Sequence, residues 1–175
     1  MEVFRNITDF LLRPIQPLDR DWMRQLMIEQ WGAEIVVAHG TIYEPHKLPG
    51  FVATHAAQEQ PIGLITYQLQ DNQCEIVTLD SLQPRRGIGS ALIEAVKDVA
   101  RQSDCERIWL ITTNNNLKAL RFYQKRGFTL AALHRNAIEQ ARKLKPQIPT
   151  IGEDGIPIRD EIELEYEFKS TGCSE

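Results

Sequence analysis

The chain has 175 residues, which at roughly 100–200 residues per domain suits one domain with a single core and excludes a two-domain machine. Hydrophobic residues make up 42% and charged residues 25%, the balance of an ordinary soluble globular protein and not that of a disordered tail or a collagen-like repeat. The net charge of -4 is unevenly spread: residues 1–84 hold 5 Lys/Arg against 11 Asp/Glu, residues 85–150 hold 13 against 5, and residues 151–175 hold 2 against 8.

Phe10 to Ile15 reads as a first strand, and Pro14 within it marks an edge or an early end. From Leu18 to Trp31, the residues Leu18, Trp22, Met23, Leu26, Met27 and Trp31 recur at three- and four-residue steps, predicting a helix that buries them and leaves Arg20, Arg24 and Gln25 outside. Residues 32–50, punctuated by His39-Gly40 and Pro49-Gly50, read as a loop with a short helical turn. Phe51–Ala57, Ile62–Leu69 and Cys74–Leu79 then form an antiparallel meander. Ser90–Gln102 is a helix with Leu92, Ala95, Val96 and Val99 on one face and a Glu94–Lys97 pair on another.

Arg107–Thr112 is a continuous apolar run, the pattern of a strand covered on both faces. Helical spacing resumes from Asn116 to Arg126 and stops at Gly127, after which Phe128–His134 returns as a strand. Asn136 and Glu139 make a capping-box pattern, opening a helix that Pro146 ends. In Glu161–Phe168, Ile162, Leu164, Tyr166 and Phe168 alternate with four glutamates, so this final antiparallel strand turns its apolar side to a core and its acids to water or a ligand.

A basic middle within an acidic protein points to a polyanionic ligand held locally, although solvated helix faces account for it too. DNA is not an expected partner, because nucleic-acid binders are usually basic throughout. No run approaches the ~18 apolar residues of a membrane span and the first residues lack a secretory pattern, so no membrane association and a cytoplasmic location are expected. Cys74, Cys105 and Cys173 are odd in number with no CxxC spacing and no nearby histidine; they read as reduced thiols, with no metal.

The stretch from Leu79 to Leu92 carries the chemistry. A strand runs through a short basic loop with Arg85, Arg86, Gly87 and Gly89 into a helix, and such a junction binds phosphate with unpaired amide N–H groups and the positive end of the helix dipole. Glycines there let a pyrophosphate approach the backbone. A dinucleotide fingerprint fails because Leu92 stands where a third small residue is needed, and a P-loop fails for want of Gly-Lys-Ser/Thr. A tight turn with close packing is the plain alternative.

With the second half of the chain added, the sequence resembles the GNAT superfamily of acetyl-CoA-dependent N-acetyltransferases. Its (Arg/Gln)-x-x-Gly-x-(Gly/Ala) loop corresponds to Pro84 through Gly89, with Pro84 departing at the first position. Its Asn-x-x-Ala-x-x-x-Tyr-x-x-x-Gly-Phe helix corresponds to Asn116, Ala119, Tyr123, Gly127 and Phe128. The likeness covers about residues 10–134 plus a final strand at 161–168. It implies one α/β (α+β) domain with a mixed, mostly antiparallel sheet of six or seven strands. The fourth and fifth strands, Cys74–Leu79 and Arg107–Thr112, splay apart, and helices cover both faces.

The resemblance also implies roles. Acetyl-CoA is the acyl donor, bound by Leu79, Asp80, Ser81, Arg85, Arg86, Gly87, Ile88, Gly89, Ser90, Asn116 and Tyr123. The amine attacks the thioester directly, and Tyr123 is the expected acid toward the departing thiolate, the two having comparable basicity. A base is also needed, and Glu75, Asp80 and His134 are the candidates, with a water chain as the alternative. The acceptor is an amine-bearing small molecule or peptide. The acids at Glu153-Asp154, Asp160-Glu161 and Glu163 to Glu167 could attract a cationic one, or could be a solvated edge strand. The helix and loop at 135–160 are expected to border the acceptor. A non-catalytic acyl-CoA sensor or a protein- or RNA-interaction module on the same fold is the competing function, and a homodimer is possible.

Overall fold

The computed structural model describes residues 9–169, so Cys173 lies outside the described residues. One sheet of seven strands runs in the order β1-β4-β5-β6-β7-β9-β8. Its members are β1 (Phe10–Pro14), β4 (Gly50–His55), β5 (Pro61–Gln70), β6 (Gln73–Ser81), β7 (Arg107–Thr113), β8 (Thr129–His134) and β9 (Glu161–Glu167). All neighbours are antiparallel except β6 and β7. Pro14 does sit on an edge strand, where its missing N–H costs no ladder bond.

Alternation along the strands sends side chains to two layers. Val52 and Leu64 face Met23 and Leu26 of α1 (Arg20–Trp31). Ala53 and Ile65 face the other way, into the main core with Leu92, Ile93 and Val96 of α2 (Ile88–Gln102). The shorter α3 (Leu117–Gln124) joins α2 on that face: the Arg126 guanidinium just beyond it donates to Ser90 Oγ at 2.9 Å. The Glu94–Lys97 pair forms at 3.1 Å, with Lys97 buried over the Tyr166 ring.

Several expectations need correcting. The first helix begins at Arg20 after a 3-10 turn at Pro17–Asp19, which leaves Leu18 76% exposed instead of in the core. Residues 32–50 are not simply a loop: β2 (Val36–Ala38) and β3 (Thr41–Tyr43) form a hairpin whose two turn residues, His39 and Gly40, both have positive φ, the conformation a tight two-residue hairpin turn requires. The helical turn expected there is present at Pro45–Lys47. The capping box at Asn136 does not form, because Asn136 is left-handed (φ 58°) and makes no side-chain cap; its N–H donates instead to the Asp160 carboxylate, opening α4 (Ala137–Leu144).

The strand β9 is not an edge. It lies between β7 and β8, paired on both sides, so its glutamates are not a free acidic rim. Glu163 and Glu165 hold Arg107 at 2.9 and 2.6 Å, and Glu161 is 2% exposed. Cys74 and Cys105 are buried and unpaired with each other; burial pushes the Cys74 thiol up to about 12, so it is an inert packing residue. Among the described residues, no helix is long and apolar enough to cross a membrane.

Candidate active site

The site begins where the sheet comes apart. Parallel pairing between β6 and β7 covers only Gln73–Ile76 against Arg107–Leu110, yet β6 runs on to Ser81 and β7 to Thr113. The divergence starts at a bulge: Thr66 opposes Thr78 while Tyr67 opposes Ile76, leaving Val77 as the extra residue. A bulge sharpens the local twist and re-aims its strand. Past it β6 stays paired only to β5, and the Leu82 amide bonds to Ile62 on that side. By antiparallel alternation, Leu79 and Ser81 then turn their N–H and C=O groups into the open notch.

The notch holds a cavity lined by Leu79, Asp80, Thr112, Asn116, Ala119 and Tyr123, with Trp31 closing one side. Asp80 accepts from the Trp31 indole N–H at 3.1 and 3.2 Å. Burial pushes its carboxyl up to about 6, the indole hydrogen bond opposing part of that rise. Burial, and next the negative Asp80, hold the Tyr123 phenol above its ordinary value, so at neutral pH it is a proton donor. The ring is pinned edge-on between Phe122 and Phe128. Asn116 caps α3 by accepting from the Ala119 amide at 3.1 Å and also lines the notch.

The loop after β6 leads into α2, which starts at Gly87 with no side-chain cap. The amides of Ile88, Gly89 and Ser90 precede the first intrahelical bond, from Ala91 N–H to the Gly87 carbonyl. Arg85 and Arg86 are exposed beside them. Gly87 is needed for its left-handed φ of 74°, whereas a Cβ on Gly89 would meet the Phe122 ring at 2.9 Å. The second glycine thus serves the packing of α2 on Phe122. The Ile88 side chain is 1% exposed and belongs to the core, leaving only its backbone for a ligand. The Ser81 hydroxyl turns to the Gln83 carbonyl at 3.4 Å.

The three candidate bases separate. Asp80 shares the cavity of Tyr123. Glu75 lines an adjoining cavity instead, its oxygens taken by the Tyr43 hydroxyl at 2.6 Å and by His39 Nε2 at 2.8 Å. His134 sits on edge strand β8, 43% exposed and 3.2 Å from Glu163, and lines neither cavity. Sequence reasoning missed four residues here: Trp31 and Lys145 border these cavities, and His39 and Tyr43 hold the Glu75 carboxylate. The short β-branched runs Ile35–Val37 and Thr41–Ile42 on either side of His39-Gly40 were the available signal for the hairpin; for Lys145, nothing local distinguished it from any helix-end lysine.

The family model described as the acetyltransferase (GNAT) family matches residues 12–128. The chain belongs to the GNAT acetyltransferase family. Its relatives include the uncharacterized protein YdhI of Bacillus subtilis (strain 168), 41% identical over 152 residues, which covers 87% of this chain and 94% of YdhI. Among solved structures, the IAA acetyltransferase from Bacillus cereus ATCC 14579 superposes with a TM-score of 0.68 at 18% identity, covering 91% of this chain and 99% of that one. A GNAT family acetyltransferase from Elizabethkingia anophelis with acetyl-CoA bound gives a TM-score of 0.64 at 20% identity, covering 91% and 99%. At such identities the likeness is one of fold: the seven-stranded, mostly antiparallel sheet splayed at β6 and β7, with helices on both faces, is the GNAT fold.

Proposed function

We propose that this acetyltransferase moves the acetyl group of acetyl-CoA onto the nitrogen of a primary amine, on a small molecule or peptide, as one N-acetyltransferase domain over residues 1–175. In this reading 10–134 is the core, 135–160 an insertion beside the acceptor and 161–168 the closing strand. The observation that carries it is the sharing of one notch by Asp80 and Tyr123; the uncapped start of α2, reached by the loop that leaves β6, adds to it. The bound acetyl-CoA of the Elizabethkingia relative supports the choice of donor.

The residues divide the work. The free amides at Ile88, Gly89 and Ser90, with Arg85 and Arg86, hold the diphosphate of the donor, and Pro84 is no obstacle because these donors lie after it. The open edge at Leu79 and Ser81 orients the pantetheine arm and the thioester carbonyl. Asp80 takes a proton from the acceptor ammonium, the freed nitrogen forms the new C–N bond, the C–S bond breaks, and Tyr123 gives its proton to the departing sulfur. The surplus proton on the newly acylated nitrogen then passes through water to the phenolate, and Asp80 releases its proton to solvent. Asp80 is assigned as base over Glu75 because it faces the same cavity as Tyr123 and only one donor engages it.

Free-thiol release from acetyl-CoA with a panel of amines tests this. Turnover is expected, and Tyr123→Phe should lower kcat by about 10²-fold or more while leaving donor KM unchanged. Tight CoA binding without thiol release on any amine would instead favour a non-catalytic binder.

A further inference from the structure

Next to the notch lies the second cavity, walled by Val36 and Val37 of the hairpin, Ile111 of β7, and Ile138 and Ile148 of the insertion. It encloses about 160 Å³. A cavity of roughly 150 Å³ takes one benzene, so the occupant is a fragment of about six to eight non-hydrogen atoms. The wall is fastened. Buried Lys145, just past α4, donates to the carbonyls of Trp31 and Ile35 at 2.8 and 3.1 Å, and Ile138 and Ala141 pack with Ile158 against Val37. A polypeptide would have to displace this contact to pass.

The polar end of the cavity is anionic. Glu161 is 2% exposed; its Oε2 accepts from the His39 amide at 3.1 Å, and among the described residues no cationic side chain is bonded to it. Glu75 is 6% exposed and held by the Tyr43 hydroxyl and His39 Nε2. The lysine on this wall, Lys145, directs its Nζ at the Trp31 and Ile35 carbonyls and forms no ion pair with either carboxylate among the described residues. Two buried carboxyl groups thus line this space and no cationic side chain among the described residues is bonded to Glu161, an arrangement that a cation in the space beside them would complement.

Resting on the transferase reading of the notch, we infer that this cavity selects the acceptor as a compact aliphatic amine carrying a second, protonated nitrogen. The carbon chain lies along the valines and isoleucines, and the second nitrogen ion-pairs with Glu161 and Glu75. The reacting nitrogen reaches Asp80 past Ile76, Val77 and Thr112, which line both cavities.

The test compares diaminobutane and diaminopentane, each with terminal nitrogens, against butylamine, pentylamine and a tetrapeptide with a free N-terminus. The diamines should exceed the matched monoamines in kcat/KM by about tenfold or more. Glu161→Gln keeps an acceptor for the His39 amide; it should raise diamine KM about tenfold while leaving kcat, monoamine kinetics and calorimetric CoA affinity essentially unchanged. A merely structural role for Glu161 would change all four. Equal rates for diamines and monoamines, a preference for the tetrapeptide, or an equal loss for all acceptors in the variant overturns the inference alone. Binding of CoA with no thiol release on any amine overturns the transferase reading and this inference with it. Should the variant fail to fold, the panel on the unaltered protein decides.

Discussion

Asp80→Asn is the substitution whose consequences for activity and stability run in opposite directions. Burial in the notch pushes the Asp80 carboxyl up to about 6, roughly two units above an unfolded aspartate near 3.9. Between those values the folded state binds more protons than the unfolded one, so its stability falls as pH rises from about 4 to 6 and stays reduced above. Two units correspond to about 3 kcal/mol at neutral pH, an upper bound because water reaches part of the side chain. Asparagine removes the charge and its Oδ1 still accepts from the Trp31 indole, so the variant should be more stable at pH 7 by about 1–3 kcal/mol, or some 2–10 °C in Tm.

The same variant should lose activity. A base must be ionised to act, so the unaltered protein should show kcat/KM rising with unit slope up to about pH 6 and then levelling. Asp80→Asn should lower the plateau by about 10²–10⁴-fold and abolish the acid limb. Thermal melts at pH 4 and pH 7 with pH–rate profiles measure both. A variant no more stable at pH 7 than the parent, or one that keeps the acid limb near pH 6, would refute the assignment of a desolvated base to Asp80. Stabilisation combined with inactivation is the mark of a residue held in place for function.

Gly89→Ala should destabilise by about 1–3 kcal/mol and weaken CoA binding, since the added methyl meets the Phe122 ring at 2.9 Å and wedges α2 from α3; Phe122→Leu in the same chain should recover part of the loss in denaturant midpoint. Asp19 is 3% exposed and pairs with Arg13 through bonds of 2.7 and 2.8 Å, so Asp19→Asn should cost up to about 3 kcal/mol at pH 7 in chemical denaturation. The Arg13 guanidinium holds that carboxyl below its usual range. Its stabilising effect is therefore full above pH ~4 and lost as pH falls through the lower folded value, so parent and variant should converge in strong acid. Gly87→Ala keeps the space but not the φ of 74°, and should cost about 1–2 kcal/mol and weaken CoA binding by distorting the loop.

Much of this molecule is written in short-range pattern. The period-two runs at β4, β5, β6 and β9, the amphipathic α2 and the Asn116–Phe128 helix-and-strand signature are each legible within a dozen residues, because one apolar face and its turns are local properties. Family membership was legible in the same places: the glycine loop and the Asn116–Phe128 pattern carry their spacing with them. What the chain could not announce is which neighbour each face meets. The insertion of β9 between β7 and β8 is a choice among non-local pairings that the same alternating strand permits, and it turns an expected acidic rim into clamps for Arg107 and a buried Glu161. Trp31, Asp80 and Tyr123 are 49 and 43 residues apart in succession, and no local rule brings them to one notch. The bulge at Val77 and the early end of the β6–β7 ladder do so, by opening the sheet where long-range packing of α1 and α3 delivers the remaining side chains.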